Sequence, residues 1–122
     1  MSSTKFENTQ KQMYSEGIYL HKRIETNASN QIIETVVLYT NEAGDVLVES
    51  FFNADEKAVQ HFVSVYDENS ELRYELCYDG EGNYTDGYDF ELDDSFLSLE
   101  DCKLKDREMF QRFDLEKFLY LR

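Results

Sequence analysis

The sequence predicts an α+β fold: a curved antiparallel β-sheet meander of about six strands, with closure into a small barrel left open, and a C-terminal helix packed on it. Three observations carry this expectation. Within Val59 to Leu92 every second residue gives Leu72, Tyr74, Leu76 and Tyr78, then Tyr84, Asp86, Tyr88, Phe90 and Leu92, the period of half-buried strands with one aromatic and one acidic face. Between these runs lie Asp67-Glu68-Asn69-Ser70 and Asp79-Gly80-Glu81-Gly82-Asn83, which have the composition of tight turns. From Asp106 to Arg122 the residues Met109, Phe110, Phe113, Phe118, Tyr120 and Leu121 fall within about half of a helical wheel.

Residues 1 to 15 are polar, with Phe6, Met13 and Tyr14 as the large apolar groups after the initiator; they are expected as a flexible tail or a short helix. Residues 16 to 122 are expected as one α+β domain. Its first strand starts after Gly17, where Ile18, Leu20 and Ile24 alternate with Tyr19, His21, Arg23 and Glu25, and Thr26 to Asn30 closes it. Gln31 to Thr40 holds Ile32, Ile33, Val36, Val37, Leu38 and Tyr39, apolar on both faces, so this strand is expected under cover on both sides or inside a barrel. Asn41 to Asp45 reads as a hairpin loop with Gly44 at the positive-φ position, leading into a strand from Val46 to Phe52. Asn53 to Lys57 reads as a polar connector or a single helical turn capped by Asn53. Three strands of the central meander follow. After Leu92, Asp93-Asp94-Ser95 is a candidate helix cap, with Phe96, Leu97 and Leu99 in a short helix or crossover. For the C-terminus, a helix followed by a closing strand over Glu116 to Leu121 competes with a single helix.

Tyr66 and Tyr78 each precede a polar loop at a spacing of 12, and Leu72 and Leu76 are answered by Tyr84 and Tyr88. This spacing resembles that of tyrosine-rich hairpin repeats in large toxin shells and in sheet-like membrane-docking repeats. With two or three copies it is read as the geometry of consecutive six-residue strands and short loops.

At 122 residues the chain suffices for one core without disulfide or metal support. Cys77 and Cys102 stand in no ligand spacing and are expected as reduced thiols. With no apolar run of signal-peptide or membrane-span length, a cytoplasmic location is expected. The net charge of −14 is unevenly placed: residues 25–101 hold 20 Asp or Glu against Lys57 and Arg73, a local balance of −18, while both ends are mildly basic. Such a field repels nucleic acid and anionic membrane and speeds encounter with a basic partner. It also keeps a protein soluble, which is the plain reading of excess acid.

No constellation for catalysis emerges, and the expectation is that the chain is not an enzyme and holds no cofactor. Asp79, Glu81 and Asn83 alternate as calcium ligands do, but Tyr84 stands where the turn glycine belongs and Phe90 where the bidentate acid belongs. His21, His61, Cys77 and Cys102 lack the paired short spacings of zinc ligands. A nucleophile elbow is not visible, and glycines among acids would repel a phosphate.

The function expected is therefore a small acidic protein-binding module that inhibits, neutralises or escorts a basic partner protein, such as a toxin or a nucleic-acid-binding enzyme. Immunity proteins and acidic secretion chaperones are examples of this physical type. Candidate partner-binding residues are Asp67, Glu68, Glu71, Glu75, Asp79, Glu81, Asp86, Tyr88 and Asp89. The rival readings are a sheet enclosing an apolar ligand or an enzyme built in such a cavity, and an oligomeric structural component.

Overall fold

The computed structural model describes residues 4–96 and 99–112 and shows a mostly antiparallel sheet with short helices packed on it. The strands are β1 (Lys5–Asn8), β2 (Gln12–Ser15), β3 (Ile18–Thr26), β4 (Ile32–Thr40), β5 (Val46–Phe52), β6 (Ala58–Tyr66), β7 (Leu72–Asp79), β8 (Tyr84–Asp89) and β9 (Asp94–Phe96). Helices α1 (Leu99–Lys105) and α2 (Arg107–Arg112) follow. The sheet order is β1-β3-β4-β5-β6-β7-β8-β9, with β2 also paired to β3, and the sheet is not closed. The six strands expected from the alternation are β3 to β8; the barrel is not formed, and the strand count rises to nine because short strands flank the meander at both edges.

The N-terminal stretch, expected as a tail or a helix, is instead a broken edge strand. β1 lies against Arg23 to Thr26 and β2 against Ile18 to Leu20, and Thr9 bridges them by donating its N–H to the Lys22 carbonyl. Its alternation was hidden because the edge faces solvent on nearly every side, so few apolar residues mark a buried face. The expected helix cap at Asp93 to Ser95 is likewise a turn running into β9, and the helix begins only at Leu99. The closing strand over Glu116 to Leu121 and most of the expected terminal helix lie outside the described residues.

Five hairpin loops use one device. Asn27, Asn41, Asn53, Asp67 and Asp79 each open a loop with a side-chain oxygen that accepts the N–H four residues later, at 2.9–3.1 Å. In four of the loops it also accepts the N–H two residues later. The residue three after each is left-handed: Asn30, Gly44, Glu56, Ser70 and Gly82, at φ 61 to 92°. An Asx side chain that mimics the turn's own carbonyl followed by a left-handed residue is a hairpin-forming combination. Asn53 thus starts a hairpin and not a helical turn.

One face of the sheet holds the core. Paired residues point to the same side, so Tyr39, Val48, Val63 and Leu76 form a row across β4 to β7. Val37, Val65, Tyr74 and Tyr78 flank it, and Cys102 of α1 and Met109 of α2 close it from above. Phe110 stacks on Tyr74 at 5.5 Å between ring centroids. Burying each such side chain stabilises the fold by about 1.5–3 kcal/mol. No helix among the described residues is long and apolar enough to cross a membrane.

Candidate functional site

The opposite face carries no described helix, and its residues follow directly from the register. Across β3 to β8 one row reads His21, Leu38, Glu49, Phe62, Cys77 and Asp86. A second reads Arg23, Val36, Phe51, Gln60 and Asp79, and a third runs through Ser64, Glu75, Tyr88 and Ser95. Val36, paired to Arg23 and Phe51, is only 2% exposed on this face. The apolar residues on both faces of β4 accord with its central place in the sheet, and among the described residues no helix lies on its second face.

Phe51 and Phe62 meet edge to face at 5.6 Å on this open side, both half-buried. Glu49 and Glu75 flank Phe62 from the two neighbouring strands, and both are half-buried. Burial raises the Glu75 pKa above the usual carboxylate range, and the Glu49 charge adds to the shift. The Cys77 thiol is pushed up to about 11, first by burial and then by Asp86 and Glu75. Burial also raises Tyr66, with Asp45 and Glu49 acting in the same direction against a hydrogen bond from Ser64. Burial is the largest cause in all three, and nearby carboxylates add to each. Among the described residues no basic side chain pairs with Glu49, Glu75 or Asp86; the ion pairs join Arg73, Lys103 and Lys105 to Glu91, Asp106, Glu100 and Asp89 around the helices.

The nine candidate residues read from the sequence are not brought together. Glu75, Asp86 and Tyr88 share the open face. Asp67, Glu68 and Glu71 lie in the β6–β7 loop, whereas Asp79 ends β7 in the second open-face row and Glu81 lies in the β7–β8 loop that follows. Asp89 is on the covered face and only 5% exposed, with its carboxylate on Lys105 and on the N–H groups of Glu91 and Leu92. The expected aromatic row also breaks in β8. A bulge sets Cys77 opposite Asp86 but Tyr78 opposite Tyr84, so Tyr84 turns to the core beside Tyr78 while Asp86 and Tyr88 turn outward.

Other chemistry is accounted for locally. Asp79, the first residue of the calcium-like stretch, accepts backbone N–H groups of its own loop, above all from Asn83, which holds its pKa below the usual range. His21 on β3 and Cys77 on β7 are separated by three strands in the open-face row, and His61 and Cys102 lie on the covered side. His61 Nδ1 is 2.7 Å from Ser50 Oγ, yet Ser50 is 1% and His61 3% exposed, so this serine and histidine form a core hydrogen bond without access for a substrate. Among the described residues no group of three or more His, Cys, Asp or Glu side chains converges as a metal site would require.

A groove of about 450 Å³ runs between the β6–β7 loop and the α1–α2 junction, lined by Asp67, Glu68, Arg73, Lys105, Asp106 and Glu108 among others. Its charges are mixed, and Arg73 pairs with Asp106 within it at 3.6 Å. Sequence reasoning missed Glu49, Phe51 and Phe62; the available signal was the two-sided pattern of β4 and β5, which places apolar and acidic residues together on the face away from the core. No family model and no curated protein matches the chain.

Proposed function

We propose that the protein is a small acidic binding module that engages a basic partner protein, in order to inhibit, neutralise or escort it. The observation that supports this reading is the sheet face that carries no described helix, where Glu49, Glu75 and Asp86 have no ion-pair partner among the described residues and Glu49 and Glu75 flank Phe62. Carboxylates that fold into a desolvating surface without a counter-charge raise their own pKa, as Glu75 does, and a cation from outside relieves that cost. The balance of −18 over residues 25–101 adds long-range attraction for such a partner.

Affinity capture from the native lysate at low and high salt, with mass spectrometric identification, tests the reading. The expected result is a basic protein retained at low salt and released at high salt, since the attraction between exposed charges is screened. Recovery of no salt-sensitive basic partner overturns it.

A further inference from the structure

We infer that the contact surface for the basic partner is the open sheet face and not the acidic loop ends, and that the matching element is amphipathic, apolar as well as basic. This rests on the reading above and adds the surface and the chemistry of its counterpart.

The loops are the more acidic parts to the eye, but their acid stands apart from apolar side chains. Asp67 and Asp79 accept backbone N–H groups of Glu71 and Asn83 in their own loops, and Glu42, Glu68 and Glu71 are exposed. The open face differs in one respect. Its carboxylates Glu49, Glu75 and Asp86 are interleaved with apolar side chains: Leu38, Phe51 and Phe62 lie half-buried in the same rows. A purely polar basic surface would neutralise the carboxylates but leave the rings and Leu38 in water. A purely apolar one would bury carboxylates without a counter-charge, and their desolvation opposes binding.

Only a surface that alternates basic and apolar groups satisfies both. Basic side chains reaching Glu49 and Glu75 would also lie beside the Phe62 ring, where cation–π attraction favours them. A second copy of this chain is a poor occupant, because two molecules of charge −14 repel; in the described rows of this face the basic residues are His21 and Arg23, at the β3 edge and away from the acid of β5 to β8.

The test uses the full chain and three synthetic peptides of one length: alternating leucine and lysine, alternating serine and lysine with the same charge, and alternating leucine and serine. Affinities are measured by fluorescence anisotropy at low salt, for the wild type and two variants that remove the same charge from different places. E49Q/E75Q/D86N strips the open face, and E42Q/E68Q/E71Q strips the loops. The expected result is that the leucine–lysine peptide binds at least about tenfold more tightly than either control, that the face variant loses about tenfold, and that the loop variant stays within about twofold. Phe62→Ser, checked for an unchanged circular dichroism spectrum, should remove the preference for leucine–lysine over serine–lysine; if it unfolds, Leu38→Ser serves in its place.

Equal binding of the two lysine peptides, or a larger loss in the loop variant, overturns the surface while leaving a basic partner in place. No binding of either lysine peptide overturns this inference together with the reading it rests on. A concentration-dependent mass in solution that Phe62→Ser or Leu38→Ser reduces to the monomer assigns the face to a second copy and also overturns it.

Discussion

Lys105 Nζ lies 3.2 Å from Asp89 Oδ2, and this pair joins the helical cover to the end of β8. Burial by itself would raise the Asp89 pKa, but the N–H of Leu92, the Lys105 ammonium and the N–H of Glu91 outweigh it and hold the carboxyl below its ordinary 3.8. Asp89→Ala removes the loop hydrogen bonds and the ion pair together and is expected to cost about 2–3 kcal/mol, read from urea unfolding. Asp89→Asn keeps an oxygen for the loop and isolates the charge. Because the folded pKa is the lower one, the charge contribution is present above about pH 4 and is lost as pH falls through the folded value. The gap between wild type and Asp89→Asn should therefore be full at neutral pH and close in acid.

The left-handed loop residues give a second prediction. Glu56 and Ser70 carry side chains at φ 61°, where Gly44 and Gly82 do the same job without a Cβ. A left-handed residue with a side chain costs about 1–2 kcal/mol, partly offset by the extra chain entropy that glycine loses on folding. Glu56→Gly and Ser70→Gly should each stabilise by about 0.5–1 kcal/mol, and Asn30→Gly by less, since asparagine tolerates this conformation. Thermal unfolding of the three variants decides the order.

These loops also show what the sequence made legible and what it hid. Period-two alternation placed β3 to β8, because each strand has a face packed on Tyr39, Val48, Val63 and Leu76 and its apolar residues advertise it. The repeat lies in Asn27, Asn41, Asn53, Asp67 and Asp79, spaced 14, 12, 14 and 12, beside a tyrosine spacing that only partly follows it. Tyrosine positions depend on which face a strand buries, whereas the Asx positions follow from turn geometry alone. The bulge that turns Tyr88 outward could not be read, since Thr85 differs from its neighbours in no propensity that demands an extra residue there. The open face was hidden for a related reason: Val36, Leu38 and Phe51 look in sequence like residues covered by another layer.

Gly80 supplies a third prediction, from close approach and not from its φ. A Cβ built there would stand 2.2 Å from the Ala58 carbonyl oxygen, which belongs to backbone and cannot swing aside. Gly80→Ala must push the β7–β8 loop away from the start of β6, and a loss of about 2 kcal/mol or more is expected. Gly44→Ala is the control: open space surrounds that site, so any loss there reflects its φ of 92° alone.

His61 sets a pH dependence with a sign of its own. Burial is the largest influence and lowers its pKa below 6.5, against a hydrogen bond with the Gly80 backbone and the charge of Asp79. The unfolded chain then takes up a proton near pH 6.5 that the folded chain refuses until lower pH. Stability is full above about pH 6.5 and falls as pH drops from there through the folded value. Glu75, whose pKa is raised from 4.5, acts oppositely at lower pH by favouring the folded state as it protonates. The His61 contribution is therefore read as the difference between wild type and His61→Gln. That variant is expected to be less stable at pH 8 and to lose its deficit progressively as pH falls from about 6.5 through the lowered folded value.

Cysteine reactivity reports on the field of the open face. Cys77 is half-exposed there, with a thiol pushed up to about 11, whereas Cys102 is buried in α1 and raised to about 11, chiefly by burial. At pH 8 only about one Cys77 in a thousand is thiolate, the form that reacts, so a disulfide reagent should label the native protein far more slowly than the denatured chain. The two residues lie on opposite faces and should form no intramolecular disulfide on air oxidation. Part of the Cys77 shift comes from Asp86 and Glu75, so E75Q/D86N should speed its labelling and leave Cys102 unchanged, because the neighbours of that thiol are Tyr74, Asp106, Asp89 and Lys105. Equal rates for wild type and E75Q/D86N at Cys77 would show that the carboxylates do not act on the thiol. The negative field inferred for that face would then fail at the one residue where labelling measures it directly.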